Sequence, residues 1–211
     1  EASGNDNSKL MFVRIATLAT QRYNGDILIS IDKMADFSKV AAVNKMWCNQ
    51  NVEFKNIPLD GRNTSYTNWS RFAYNGLLAT QTIIAEGDER GLTTAAADYC
   101  YSSTIANGDK LYQGYLPTAY QWELTWQNMD IVIDAINKKY PDLNVNKTTF
   151  SGNKWTSTQI NASYSYYFTT AVYSSFKNNS YLAIPFYACL SDSPSLLSLP
   201  DEQGESLAQA A

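Results

Sequence analysis

A carboxylate pair for general acid–base work can be drawn from Glu123, Asp130 and Asp134. Asp130 and Asp134, however, stand four residues apart in a helical pattern, the ordinary spacing of a solvated face. The 211 residues include no histidine, which removes the usual general base, the usual zinc ligand and any Ser-His or Cys-His nucleophile system. The three cysteines, Cys48, Cys100 and Cys189, lie far apart and form no CxxC. One disulfide plus a free thiol and three buried thiols fit this spacing equally well. The expectation is a protein with no catalytic residues, no metal and no cofactor.

The chemistry that the chain does offer is recognition. In residues 151–181, Ser, Thr, Asn and Tyr supply 20 of 31 positions, and the only charges are Lys154 and Lys177. Tyrosine gives a large contact area and loses little rotamer entropy on binding, while Ser and Asn give adaptable hydrogen bonds. A polar β-meander with nothing to bind has the same composition. Within this stretch Ile160, Asn161, Ser163, Tyr164, Tyr166, Tyr173, Ser175, Asn178, Asn179 and Tyr181 are the candidate ligand-binding residues, set among apolar neighbours such as Phe168, Val172 and Phe176. Trp122 and Trp155 could stack on a ligand, but large aromatics at such positions are read as core anchors.

Composition bounds the partner. Hydrophobic residues make up 45% and charged ones 17%, with 15 tyrosines, as in a globular chain of low charge. A net charge of −4 and a pI near 4.8 disfavour nucleic acid, which calls for clustered Lys and Arg. No apolar run approaches ~18 residues, so no membrane-spanning segment is expected, and no basic-then-apolar leader pattern opens the chain, as in a soluble mature or trimmed protein.

The positioning elements follow from periodicity and punctuation. Residues 1–9 read as a flexible N-terminus and 191–211 as a tail, with one domain at 10–190. Two apolar runs between residues 10 and 31, separated by RYNG, predict a pair of strands. Residues 37–60 carry only a weak pattern. A helix is predicted over residues 72–90, stopped by Gly91, and a short one over 93–100 capped by Thr93 or Thr94. Thr118 and Gln121 form a capping-box pattern after Pro117, opening a helix expected to run to about Tyr140. Three or four short strands are expected from Trp155 to Phe186.

At LYQGYLPTAYQWEL the chain resembles the (R/Y)LPtxxEW segment that opens the second helix of formylglycine-generating-enzyme-like and C-type-lectin-like folds. The blocks beginning DGRNT at Asp60, the segment from Ala95 to Cys100, GYLPTAYQW, WTSTQ at Trp155 and KNNSYLAIPF at Lys177 follow the order of the FISUMP and Lcl-C-terminal-like family of Bacteroidetes surface or phage proteins. That family usually shows WSSTE/Q and KxNSYxVRPV in the last two blocks. The resemblance runs over residues 60–187, and it departs at Ile184, where the family has Arg, and at Thr156, where it has Ser.

The resemblance implies an α+β, C-type-lectin-like fold, with two main helices packed on short antiparallel strands, residues 10–59 adding N-terminal strands to a family-like region at 60–190. It implies a cell-surface, extracellular or phage-tail location and a non-enzymatic binding or adhesion role toward a protein or glycan ligand. Some members are variable proteins of diversity-generating retroelements, whose adenine mutagenesis commonly yields the Asn, Ser, Tyr, Thr and Ala abundant in residues 160–181. Neither the loop of calcium-dependent sugar binders nor the late cysteine pair of the sulfatase-activating branch is present. The alternative is a structural subunit of a pilus or tail fibre, self-assembling through the same face.

Overall fold

The computed structural model describes residues 12–15, 27–30, 44–57, 75–107, 110–139, 141 and 144–189. The expected flexible N-terminus, the tail and the start of the family-like region at residues 60–74 lie outside the described residues. The fold is α+β, with four helices and two five-stranded, mostly antiparallel sheets among the described residues.

The first sheet has the order β1-β2-β10-β5-β4, all antiparallel. Its strands are β1 (Phe12–Ile15), β2 (Ile27–Ser30), β4 (Thr104–Asn107), β5 (Lys110–Tyr115) and β10 (Phe186–Cys189). The expected pair of N-terminal strands is present as β1 and β2, and β10 returns from the far end of the sequence to lie beside them. The second sheet has the order β3-β9-β6-β7-β8. It comprises β3 (Asn44–Met46), β6 (Lys154–Gln159), β7 (Tyr164–Phe168), β8 (Val172–Phe176) and β9 (Ser180–Leu182), and only β6 and β9 run parallel.

Helix α1 (Gly76–Glu89) begins where the Asn75 side chain accepts the Leu78 N–H at 3.0 Å. It ends at Arg90, followed by Gly91 at φ +62°, a conformation that glycine alone adopts without strain. Helix α2 (Ala95–Tyr101) has Thr94 at its N-cap, although the Thr94 hydroxyl bonds the Asp98 carboxylate at 3.0 Å and leaves the main chain uncapped by a side chain. Its C-terminal end lies so close to β5 that a Cβ on Gly114 would collide with the Cys100 carbonyl oxygen.

The capping box forms as the sequence predicts: Gln121 N–H donates to the Thr118 hydroxyl and Thr118 N–H to the Gln121 side chain. The helix it opens does not reach residue 140 in one piece. It divides into α3 (Ala119–Gln127) and α4 (Met129–Lys139). The cause is Asn128, whose side-chain amide donates to the Leu124 carbonyl at 2.8 Å, the acceptor that its own N–H would use in a continuing helix. The main-chain N–H instead closes a tighter turn on Thr125.

Two apolar clusters hold these parts together. In one, Trp122 lies flat on Phe168 (5.7 Å, 7°) and edge-on to Phe186, with Leu77, Met129 and Ile184 around it. Ile184, at the family's Arg position, is buried there. In the other, Trp47, Phe54, Ile83 and Trp155 pack with Cys48 and Cys100. Both of those cysteines are buried free thiols, so they do not pair with each other. Trp122 and Trp155 are fully buried, as core anchors.

Candidate functional site

Strands β6 to β9 carry the tyrosine-rich stretch, and short turns set its register. Between β6 and β7 the Asn161 side chain accepts the N–H groups of Ser163 and Tyr164, each at 2.9 Å. After β8 the chain reverses where Asn179 N–H bonds the Phe176 carbonyl and the Asn179 amide donates to the Ser175 hydroxyl at 2.7 Å.

β7 and β8 pair without irregularity, Tyr164 facing Phe176, Ser165 Ser175, Tyr166 Ser174, Tyr167 Tyr173 and Phe168 Val172. Because side chains alternate, Tyr167, Tyr173 and Ser175 share one face, and Tyr164, Tyr166 and Phe176 share the other. The predicted residues therefore divide between two sides of the sheet. Tyr166 is only 4% exposed, so its ring is not offered to a partner. Ser175 is also buried, while Asn161, Asn178 and Asn179 are exposed and Ile160, Ser163, Tyr164 and Tyr181 half-buried.

On the first face the rings form a graded row. Fully buried Trp155 meets Tyr181 at 4.8 Å, Tyr181 meets Tyr167 at 4.8 Å, and Tyr167 stacks on Tyr173 at 5.8 Å and 27°. Tyr173, at the outer end, is 46% exposed. The Tyr181 and Ser175 hydroxyls lie 3.0 Å apart, which ties the row to the Asn179 turn. Burial lifts the Tyr167 phenol above its ordinary pKa, with Tyr181 and Tyr173 adding to the effect. On the second face Phe176, 43% exposed, packs on Tyr164 at 4.4 Å.

Sequence reasoning missed Tyr167 and Phe176. Counting by twos from Tyr164 selects Tyr166, whereas counting back from Tyr173 across the turn at residues 169–171 selects Tyr167. The signal was therefore present in the hairpin's symmetry.

The two lysines of the stretch are also displaced from where their type suggests: both side chains are fully buried. Lys177 donates to the Val52 carbonyl (2.7 Å) and the Gln159 side chain (3.0 Å), with its ammonium 4.6 Å from the Trp47 ring centre. Lys154 donates to the Gly152 carbonyl at 2.7 Å and lies over Trp122 and Phe168. Residues 151–189 contain no other charged residue, so the surface they form is uncharged. Burial lowers the Lys177 pKa to about 8 and that of Lys154 to about 7.

These shifts set a pH dependence. Each folded-state pKa lies below the value of 10.5 expected in the unfolded chain, so between about pH 7 and pH 10 the unfolded state binds more protons and stability rises with pH. Above that window the gain reverses, because burial raises the phenol of Tyr187 to about 12 and also raises that of Tyr115. The thermal midpoint should climb by several degrees from pH 7 to pH 9, and Lys154→Met should flatten the climb. A midpoint that falls steadily over that range would contradict the burial of these amines.

Among the described residues, the carboxylates considered for acid–base work stand apart from one another in role. Asp130 is exposed and bridges to Lys147 at 2.8 Å, and Asp134 is exposed on the same helix. The buried carboxylate of Glu86 is structural, accepting the N–H groups of Lys55 and Asn56 and the Arg90 guanidinium. Burial alone would raise its pKa, but these hydrogen bonds outweigh it and hold the group below its ordinary value. Among the described residues no cluster of three or more His, Cys, Asp or Glu could hold a metal ion, and no helix is long and apolar enough to cross a membrane. No family model, curated protein or solved structure matches this chain.

Proposed function

We propose that this chain is a non-enzymatic binding domain of C-type-lectin-like type, which presents the Tyr173–Tyr167–Tyr181 face, rimmed by Asn178 and Asn179, to an uncharged protein or glycan ligand. The observation that carries the reading is the row of rings that leads from buried Trp155 to exposed Tyr173, on strands β6 to β9 that expose no charged side chain. The inner side of the Tyr173 ring is already packed on Tyr167, so its outer side is held ready and little rotamer freedom remains to be lost on contact. With no exposed charge on β6 to β9 themselves, affinity should change little with salt apart from a contribution from Lys45, opposite Tyr181 on β3.

The lectin-type part of the reading draws on the ordered sequence blocks, on helices α1 and α3 lying against the second sheet, and on β10 running between β2 and β5 at the centre of the first. With it go a bacterial cell-surface or phage-tail location and retroelement diversification of the exposed positions. A near-identical repeat downstream in the DNA, differing at adenines, would support that diversification.

The test is a glycan and protein array, followed by titration of the strongest ligand against Tyr173→Ala. Truncating an exposed ring that anchors binding should weaken affinity by roughly 30-fold or more, with the thermal midpoint held within a few degrees. Affinity equal to that of the unaltered protein would refute the assignment of this face.

A further inference from the structure

Indole and phenol rings give up a single electron far more readily than the phenyl ring of phenylalanine, so the ring contacts of each tryptophan decide where an oxidation can travel. Trp47 packs on Phe54, Trp122 on Phe168 and Phe186, and Trp126 on Phe168. Among the described tryptophans, Trp155 alone has its ring against tyrosines, meeting Tyr181 at 4.8 Å and Tyr167, edge-on, at 6.5 Å. Centroids this close bring the ring edges near van der Waals contact. Electrons tunnel across such gaps faster than an aromatic radical meets a partner in solution.

The row narrows toward the surface. Tyr181 meets Tyr167 at 4.8 Å, and Tyr167 stacks on Tyr173 at 5.8 Å. Tyr167 can therefore be reached from Trp155 in one step or through Tyr181, whereas Tyr167 is the one ring against Tyr173 among the described residues. The proton decides where the electron hole stops, because a phenol that has lost an electron is a strong acid and persists as a radical only once its proton leaves. Tyr181 faces the Ser175 hydroxyl at 3.0 Å, which is no base. Burial strengthens the hold of Tyr167 on its proton. Tyr173 is 46% exposed, so water takes the proton there.

We propose that Trp155, Tyr167 and Tyr173 form a conduit that carries one-electron oxidation from the buried core to the surface, with Tyr173 as the residue left oxidised. The oxidant is a one-electron acceptor, such as a radical derived from peroxide or a metal complex in its higher oxidation state. It takes one electron from Trp155, Tyr167 refills Trp155, and Tyr173 refills Tyr167. The oxidant is thus reduced by one electron, the O–H bond of Tyr173 breaks with its proton passing to water, and a neutral phenoxyl radical remains on Tyr173. The indole returns to its starting state.

Illuminating the full chain at wavelengths that indole absorbs and phenol does not starts the hole on tryptophan, with a cobalt(III) ammine complex as electron acceptor and a nitroso spin trap present. Peptide mass spectrometry should then find the trap adduct on Tyr173. Tyr167→Phe keeps a ring in the stack but interrupts the conduit, and Trp155→Phe removes its origin. Each should bring the Tyr173 adduct down to the level of an unilluminated sample. Tyr181→Phe should retain the adduct, since Trp155 also meets Tyr167 directly. Circular dichroism checks that each variant is folded, and should Trp155→Phe not fold, Tyr167→Phe decides alone. A wild-type chain with no adduct on Tyr173, a folded Tyr167→Phe or Trp155→Phe labelled there as strongly as the wild type, or loss of the adduct in Tyr181→Phe overturns the proposal. The inference goes beyond the ligand-binding reading and fails separately from it, since Tyr167→Phe keeps a ring beneath Tyr173 and can be titrated with the same array ligand.

Discussion

Replacing Gln159 with leucine should destabilise the protein by about 3–5 kcal/mol, the range expected when a buried polar cluster loses one member. The Gln159 oxygen accepts the Phe54 N–H at 3.1 Å and the Lys177 ammonium at 3.0 Å. Its amide donates to the carbonyls of Ile57 and Phe54. One side chain thus satisfies three main-chain groups of the 44–57 segment and one buried charge. Leucine would leave Phe54 and Ile57 unpaired in the interior and Lys177 with one acceptor fewer. Other tethers on the same segment, such as Trp47 donating to the Thr156 carbonyl and Glu86 gripping Lys55 and Asn56, would keep it from relaxing freely.

Urea unfolding followed by tryptophan fluorescence is the direct measurement, because the Lys177 ammonium rests over Trp47. Lys177→Met alone should also be costly, since it strips the Val52 carbonyl of its partner. The double variant should lose less than the sum of the two single ones, as the uncompensated charge disappears with its acceptor. A loss below ~1 kcal/mol for Gln159→Leu would show that the segment is held by its apolar contacts alone.

Trp155→Ala should have an effect of similar size on stability, about 3–5 kcal/mol, and should abolish ligand binding as well. The ring is fully buried against Tyr181 and Tyr167, and its indole N–H donates to the Lys45 carbonyl at 2.8 Å. Alanine would open a cavity beneath the tyrosine row and loosen β3. The row would then lose its foundation although Tyr173, the proposed contact residue, is untouched. Trp155→Phe separates the two roles: it keeps a ring under Tyr181 but drops the hydrogen bond, so stability should fall while affinity stays near that of the unaltered protein. If Trp155→Ala folds and binds normally, the exposed end of the row does not depend on its buried end, and preorganisation is the wrong account of the site.

Much of the architecture can be read along the chain. The stop at Arg90-Gly91 and the box of Thr118 and Gln121 rest on contacts within a few residues, and the N-terminal strands and the strands after Trp155 show in local composition although their pairing reaches farther. Even the break at Asn128 is local, a side chain competing for a carbonyl four residues back, and a stronger weight on Asn inside an apolar helical run would have found it. The 44–57 segment is different. It has no period, yet it supplies Trp47 and Phe54 to the core and receives Gln159 and Lys177, more than 100 residues later in sequence. No local pattern announces such a partnership.

By itself the sequence determined the chemical character of this protein, without histidine, low in charge and rich in tyrosine, and its caps and turns set many of the element boundaries. Tertiary structure alone decided which tyrosines act together, because one residue of register moves a side chain to the opposite face, and so Tyr167 joins Tyr173 while Tyr166 is buried. It also decided that Lys154 and Lys177 go inside and leave strands β6 to β9 without an exposed charge. Composition records which groups a stretch contains; only pairing between distant segments fixes which of them meet water.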